Sequence, residues 1–111
     1  MKLPGDAEIS SEKLTRYLLV KRPMGDKSHF LKRVGYTLDN WEQLERDLRQ
    51  QILSKNAVSV EKTVYGELFE IRTSLTGPNG VMLRLRTIWM REAGSGTTKF
   101  ITLYPDKERE R

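Results

Sequence analysis

At Ala57 the chain changes its period. Before that point apolar residues return every three or four positions, as in Leu14, Tyr17 and Leu18 and again in Trp41, Leu44, Leu48 and Ile52. After it they alternate with polar ones, and the residue types shift to Val, Ile, Thr, Tyr, Phe and Trp. A chain with helical spacing in one half and strand spacing in the other has few solutions. Successive strands joined by short turns pair antiparallel, and the helices must bury their stripes against that sheet. The expected fold is α+β: three N-terminal helices packed on one face of a four-stranded antiparallel β-meander. A length of 111 residues supports one core and not two, so 1–105 reads as a single domain and 106–111 as a charged disordered tail.

Ser10 is the expected cap of the first helix, which carries Leu14, Tyr17 and Leu18 on one stripe and stops at Pro23. Asp26 is placed to cap a short second helix with Phe30, Leu31 and Val34 on one face, closed by Gly35 in a left-handed conformation. That layout leaves His29, Lys32 and Arg33 on the wet side. Asp39 and Glu42 read as a capping-box variant ahead of the third helix, which runs to Lys55 and Asn56. The strands are "AVSVEKTVYG", "ELFEIRTSL", "VMLRLRTIWM" and "KFITLY". Between the second and third, "TGPNG" is a hairpin signal, because Pro78 presets the turn and Gly80 permits a positive φ. The longer "EAGSGTT" joins the third to the fourth.

Strand parity then sorts the side chains. Phe69, Ile71, Val81, Leu83, Leu85, Trp89, Ile101 and Leu103 suit the face beneath the helices. The other parity holds Glu70, Arg72, Arg84, Arg86, Thr102 and Tyr104. Cross-strand ion pairing on a solvated face is one explanation of that set. Leu68, Met82, Ile88, Met90 and Phe100 share the parity, and a solvated face has no need of them, so they point to a covering partner, a substrate or a second copy of the chain in a homodimer.

Composition removes several chemistries. There is no cysteine and only one histidine, so disulfides, thiolate nucleophiles and cysteine zinc sites are out, no metal site is expected, and no cofactor is implied. Residues 1–10 lack the apolar core of a secretory signal, and no run is long enough for a membrane helix, so a cytoplasmic, membrane-free protein is expected. The net charge of +5 favours acidic partners. Cations concentrate between Lys13 and Arg33, in Lys13, Arg16, Lys21, Arg22, Lys27, Lys32 and Arg33 against Asp26 alone. By itself that cluster could be the solvated side of two helices. With Arg84, Arg86 and Lys99 it fits contact with a phosphate backbone, and Lys13, Arg16, Lys27, Lys32, Arg33 and Lys99 are the expected nucleic-acid contacts. An acidic antitoxin or immunity protein would satisfy the same charges. Tyr36, Trp41 and Tyr65 could stack on bases or pack in the core and at edges.

The open parity has the ingredients for RNA cleavage by attack of a 2'-hydroxyl on the adjacent phosphate. That reaction needs a base, cationic donors for the charge developing on phosphorus, and an acid for the leaving oxygen. Glu70 fits the base, Arg84 and Arg86 the planar phosphate donors, and Tyr104 or Thr102 the polarising or proton-donating group. A tyrosine of ordinary pKa, roughly 10, is a poor acid at neutral pH. His29 is the other candidate acid, provided it reaches the sheet.

The segments "KLTRYLL" (Lys13 to Leu19), "GDKSHFLKRVGY" (Gly25 to Tyr36), "YG" (Tyr65, Gly66), "GPNG" (Gly77 to Gly80), "RTIW" (Arg86 to Trp89) and "TLYP" (Thr102 to Pro105) resemble, in order and spacing, an uncharacterised bacterial domain family. Its members occur as stand-alone toxin-antitoxin-like proteins and as C-terminal modules of polymorphic toxins. The layout is similar in turn to the barnase/colicin/RelE-like ribonucleases, in which a glutamate base, arginines and a histidine acid project from successive strands. The resemblance implies that role for Glu70, Arg84 and Arg86, while Thr102 and Tyr104 stand where a histidine would be. The expectation is a toxin-type, metal-independent endoribonuclease with an RNA substrate and a small cognate antitoxin or immunity protein. The competing expectations are a non-catalytic protein- or nucleic-acid-binding module and a purely structural subunit.

Overall fold

Two apolar doublets, Leu18–Leu19 and Ile52–Leu53, decide the shape of the helical half. Neighbours on a regular α-helix point about 100° apart, yet both members of each doublet are buried. The chain resolves this by widening. In the computed structural model, which describes residues 1–21, 23 and 27–106, α1 (Ser11–Lys13) passes directly into a π-helical turn, Leu14–Leu18. In the same way α3 (Trp41–Asp47) passes into Leu48–Ile52. The Leu19 amide donates to the Leu14 carbonyl at 3.0 Å and the Leu53 amide to the Leu48 carbonyl at 2.9 Å. These five-residue closures bring Leu14, Leu18 and Leu19, and likewise Leu48, Ile52 and Leu53, over the core together.

The expected layer of three regular helices is therefore overturned. Among the described residues the α-helical segments are three residues (α1), six residues (α2, Ser28–Arg33) and seven residues (α3) long. A 3-10 turn, Leu38–Asn40, leads into α3. Its cap is Thr37 and not Asp39: the Thr37 hydroxyl accepts from the Asp39 amide at 3.2 Å, while the Thr37 amide donates to Asn40 Oδ1 at 2.8 Å. The expected cap at Asp26 lies outside the described residues. Gly35, at φ +105°, closes α2 as its position suggested.

The sheet is antiparallel in the order β1 (Val58–Thr63), β2 (Gly66–Thr76), β3 (Met82–Glu92), β4 (Thr98–Pro105). Phe69, Ile71, Leu75, Leu85, Trp89 and Leu103 form one cluster with Leu14, Leu31, Leu44, Leu48 and Ile52 from the helical half. Thr87 is fully buried and satisfied, donating to the Ile71 carbonyl at 3.2 Å and accepting from Trp89 Nε1 at 2.8 Å.

β4 departs from simple alternation. Ile88 opposes Thr102, but Trp89 opposes Phe100, so Ile101 is an extra residue in a β-bulge. Phe100 therefore turns inward, edge-on to Trp89 with centroids 5.2 Å apart. Ile101, expected in the core, is half-buried, and Val81 lies 50% exposed just before β3.

The first ten residues also build structure. Leu3, Ala7 and Ile9 are buried, and Glu8 runs parallel to β4, its amide donating to Thr98 and its carbonyl accepting from the Phe100 amide, both at 2.8 Å.

Candidate functional site

The register of the sheet assembles the open face row by row. Glu70, Ile88 and Thr102 are directly opposed across β2, β3 and β4; so are Arg72, Arg86 and Tyr104, and next along, Ser74 opposes Arg84. Opposed residues project to the same side. The side in question is away from Phe69, Ile71, Leu85 and Leu103, so Glu70, Arg84, Arg86, Thr102 and Tyr104 share one surface.

At its centre Arg86 Nε donates to Glu70 Oε2 at 2.8 Å, and Nη2 lies 2.6 Å from the same oxygen in an ion pair. Glu70 Oε1 has no partner among the described residues. The carboxylate side chain is only 12% exposed, and its hydrogen bonds raise the Arg86 pKa against the opposing effect of burial, so Arg86 stays cationic. The Arg86 guanidinium carbon stands 5.0 Å from the centroid of the Tyr104 ring. Beside it Arg72 forms a fork with Asp106, Nε to Oδ2 at 3.1 Å and Nη2 to Oδ1 at 2.8 Å. Asp106 is 2% exposed, a correction to its place in a solvated tail; 107–111 lie outside the described residues. Arg84 is exposed, and its guanidinium has neither a hydrogen bond nor an ion pair among the described residues.

One further cation reaches this face from the helical half. Lys27, just ahead of α2, donates from Nζ to Thr102 Oγ1 at 2.7 Å and to the Tyr17 hydroxyl at 3.4 Å. Its ammonium lies 5.6 Å from the Tyr104 centroid and 5.4 Å from that of Tyr17. Tyr104 is thus bordered by both Arg86 and Lys27. Sequence spacing ranked Lys27 only as one of several backbone contacts, since its reach to β4 is set by tertiary packing.

The other expected contacts disperse. Lys13 Nζ donates to the Ile101 carbonyl at 2.8 Å, and burial, then the nearby Lys99, lowers its pKa. Lys99 pairs with Glu92 at 2.9 Å, which raises the lysine pKa. Both lysines line a shallow recess with Glu8, Ser10, Phe100 and Ile101. Arg16 meets Glu12 at 3.8 Å with both side chains in solvent. His29 and Lys32 line a cleft with Leu19, Lys21, Ser28, Tyr36, Thr37, Leu38 and Asp39, none of them on a strand, so His29 is not assembled with Glu70 and Arg86. Arg33 is exposed, and its carbonyl accepts from Asn79 Nδ2 at 2.9 Å.

Of the apolar residues assigned to the open face, Leu68, Ile88 and Met90 are half-buried, Met82 is 65% exposed, and Phe100 belongs to the core. Tyr36 is buried, Trp41 packs on the core and Tyr65 is 77% exposed. Among the described residues no three His, Asp or Glu side chains are grouped to hold a metal ion, and no helix is long and apolar enough to cross a membrane.

A four-stranded antiparallel meander bearing a carboxylate–arginine–tyrosine cluster on its open face is the structural class this chain defines. The chain belongs to the family described as a domain of unknown function, DUF6883, which it matches over residues 2–107. Neither curated proteins nor solved structures gave a match.

Proposed function

We propose that the chain is a toxin-type, metal-independent endoribonuclease whose substrate lies on the open sheet face, and that a small antitoxin or immunity protein neutralises it by covering that face. The observation that carries the reading is the contact of Arg86 with both Glu70, in the adjoining row, and the Tyr104 ring. Arg86 occupies one carboxylate oxygen and the tyrosine ring, leaving Glu70 Oε1 to accept a proton. In this scheme the 2'-hydroxyl gives its proton to Glu70 as its oxygen bonds to phosphorus. Arg86 and the exposed Arg84 hold the non-bridging oxygens as charge builds on them, and the bond to the 5'-oxygen breaks. The Tyr104 ring stands against the Arg86 guanidinium, and Thr102 shares the row of Glu70. The cytoplasm is the compartment this substrate implies.

A non-catalytic binding module is the second reading. It is favoured by the mutual neutralisation of Glu70 with Arg86 and of Arg72 with Asp106, which ion pairing alone would explain. Purified protein incubated with transfer, ribosomal and messenger RNA in the presence of a chelator separates the two. Cleavage that survives chelation and is lost in Arg86→Ala and Glu70→Gln supports the enzyme. Intact RNA throughout, with folded wild-type protein, leaves the binding module. Expression without a neutralising partner should arrest growth for the wild type and not for Glu70→Gln.

A further inference from the structure

The reaction just described lacks one component, a proton donor for the departing 5'-oxygen. Tyr104 is engaged with Arg86, and His29 lines a cleft elsewhere. In-line displacement adds a geometric demand: the donor must sit across the phosphate from the base, so the two cannot be neighbours on one strand. Glu70 and Thr102 belong to one row, on β2 and β4, with Ile88 of β3 between them. Two strand spacings of about 4.8 Å separate them by roughly 10 Å. The substrate needs a similar length. An attacking oxygen about 3 Å from phosphorus, a leaving oxygen one bond beyond, and a hydrogen bond of about 2.8 Å at each end together span roughly 10 Å. Half-buried Ile88 gives that gap an uncharged floor, and Arg86 flanks it from the adjoining row.

The group at the β4 end of the row is the Lys27 ammonium, held at 2.7 Å by Thr102 Oγ1 and bordered by the Tyr17 and Tyr104 rings. We infer that Lys27 is the general acid of the endoribonuclease, protonating the leaving 5'-oxygen, with Thr102 as the residue that positions it. The inference rests on the ribonuclease reading and completes its balance. The 2'-hydroxyl proton goes to Glu70, and the 2'-oxygen forms a bond to phosphorus. The bond from phosphorus to the 5'-oxygen breaks with its electron pair on oxygen, and that oxygen takes a proton from Lys27 Nζ. The products are a 2',3'-cyclic phosphate and a 5'-hydroxyl end, beside a protonated Glu70 and a neutral Lys27 that exchange the proton back through water. A lysine suits the position because its ammonium carries three donors: one can remain on Thr102 while another turns to the substrate.

The test uses two dinucleotide substrates, one with the natural 5'-oxygen and one with a bridging 5'-sulfur. A thiol has an ordinary pKa of about 8.5, so a thiolate leaves without a proton. Lys27→Ala should lose about 10²- to 10⁴-fold on the oxygen substrate and stay within about tenfold of wild type on the sulfur substrate, that allowance covering the lost phosphate charge. Lys27→Arg keeps the charge and the reach but does not surrender a proton, so it should show the same split, and it decides the matter if Lys27→Ala does not fold. Equal losses on both substrates, or full recovery of the oxygen substrate by Lys27→Arg, would overturn the acid and make Lys27 a phosphate contact in an otherwise intact ribonuclease. Wild-type protein that cleaves neither substrate, nor any RNA in the chelated assay, would remove the ribonuclease reading itself.

Discussion

Replacing Tyr36 by phenylalanine tests the polar joint that ties α2 to α3. The Tyr36 hydroxyl, on a side chain 1% exposed, donates to Asp47 Oδ2 at 2.5 Å, and Asp47 is itself 7% exposed. Gln43 Nε2 donates to the other carboxylate oxygen at 2.9 Å. Tyr36→Phe keeps the ring and removes one donor, so Oδ2 is left without it while Oδ1 stays bonded. A hydrogen bond to a charged partner contributes about 1.5–3 kcal/mol, and with half the carboxylate still served the expected loss is about 2 kcal/mol. For a domain of this size that lowers Tm by roughly 8 °C. The assay is urea unfolding with an unchanged m-value, repeated as pH rises. Burial, then the Asp47 contact, pushes the Tyr36 pKa well above that of an exposed tyrosine. A raised folded-state pKa means the stabilisation is whole below about pH 10, the unfolded value, and is lost as pH climbs beyond it. The gap between wild type and Tyr36→Phe should therefore shrink above about pH 10. A loss below about 0.5 kcal/mol, within the scatter of surface substitutions, or a gap that stays constant to high pH, would refute the reasoning.

The bulge in β4 predicts an inversion of the simple alternating pattern: Phe100→Ala should cost about 3–5 kcal/mol, and Ile101→Ala, at a half-buried position, under about 1.5 kcal/mol. Chemical denaturation of the two variants checks this, and the opposite order would remove the bulge. At the turn between β2 and β3, a Cβ on Gly77 would lie 1.9 Å from the Val34 carbonyl oxygen, whereas one on Gly80 meets nothing within 4 Å despite a φ of +84°. Gly77→Ala should therefore cost more stability than Gly80→Ala, about 3 kcal/mol or more for the clash with backbone against about 1–2 kcal/mol for the strain alone, read by chemical denaturation. Arg84→Ala should leave stability within about 0.5 kcal/mol of wild type, since its guanidinium is exposed and unpaired among the described residues, and should weaken RNA binding measured by fluorescence anisotropy.

Local signals served the sequence reading best where no distant partner decides the outcome. Uninterrupted pairing of β2 with β3 from Gly66–Glu92 to Thr76–Met82 lets alternation alone assign Glu70, Arg84 and Arg86 to one side. Alternation failed at Ile101, because nothing in "KFITLY" marks the bulge, which arises from the way Phe100 and Trp89 pack. Helical spacing located the buried stripes but not the π-helical turns, although the doublets Leu18–Leu19 and Ile52–Leu53 were the available clue. An acidic residue three before a glutamine or glutamate points to Asp39 as the cap of the third helical segment. Thr37 with Asn40 achieves the same reciprocal bonding two residues earlier. The period-two burial of Ala7 and Ile9 could have revealed the N-terminal edge segment. Lys27 at the open face was beyond spacing rules altogether, since only folding brings it to Thr102.

The N-terminal segment that runs beside β4 has a bearing on solubility. Glu8 takes the outward amide and carbonyl of the strand at Phe100 and Thr98, and Lys13 takes the carbonyl of Ile101. Main-chain groups already engaged cannot recruit another strand, so sheet extension along this stretch is blocked. Strand-to-strand association is left to the β1 border, where a second bulge and the charged Glu61 and Lys62 interrupt an otherwise valine-rich ribbon. The first half of the β4 border, from Thr98 to Ile101, is by contrast protected from pairing with a second molecule.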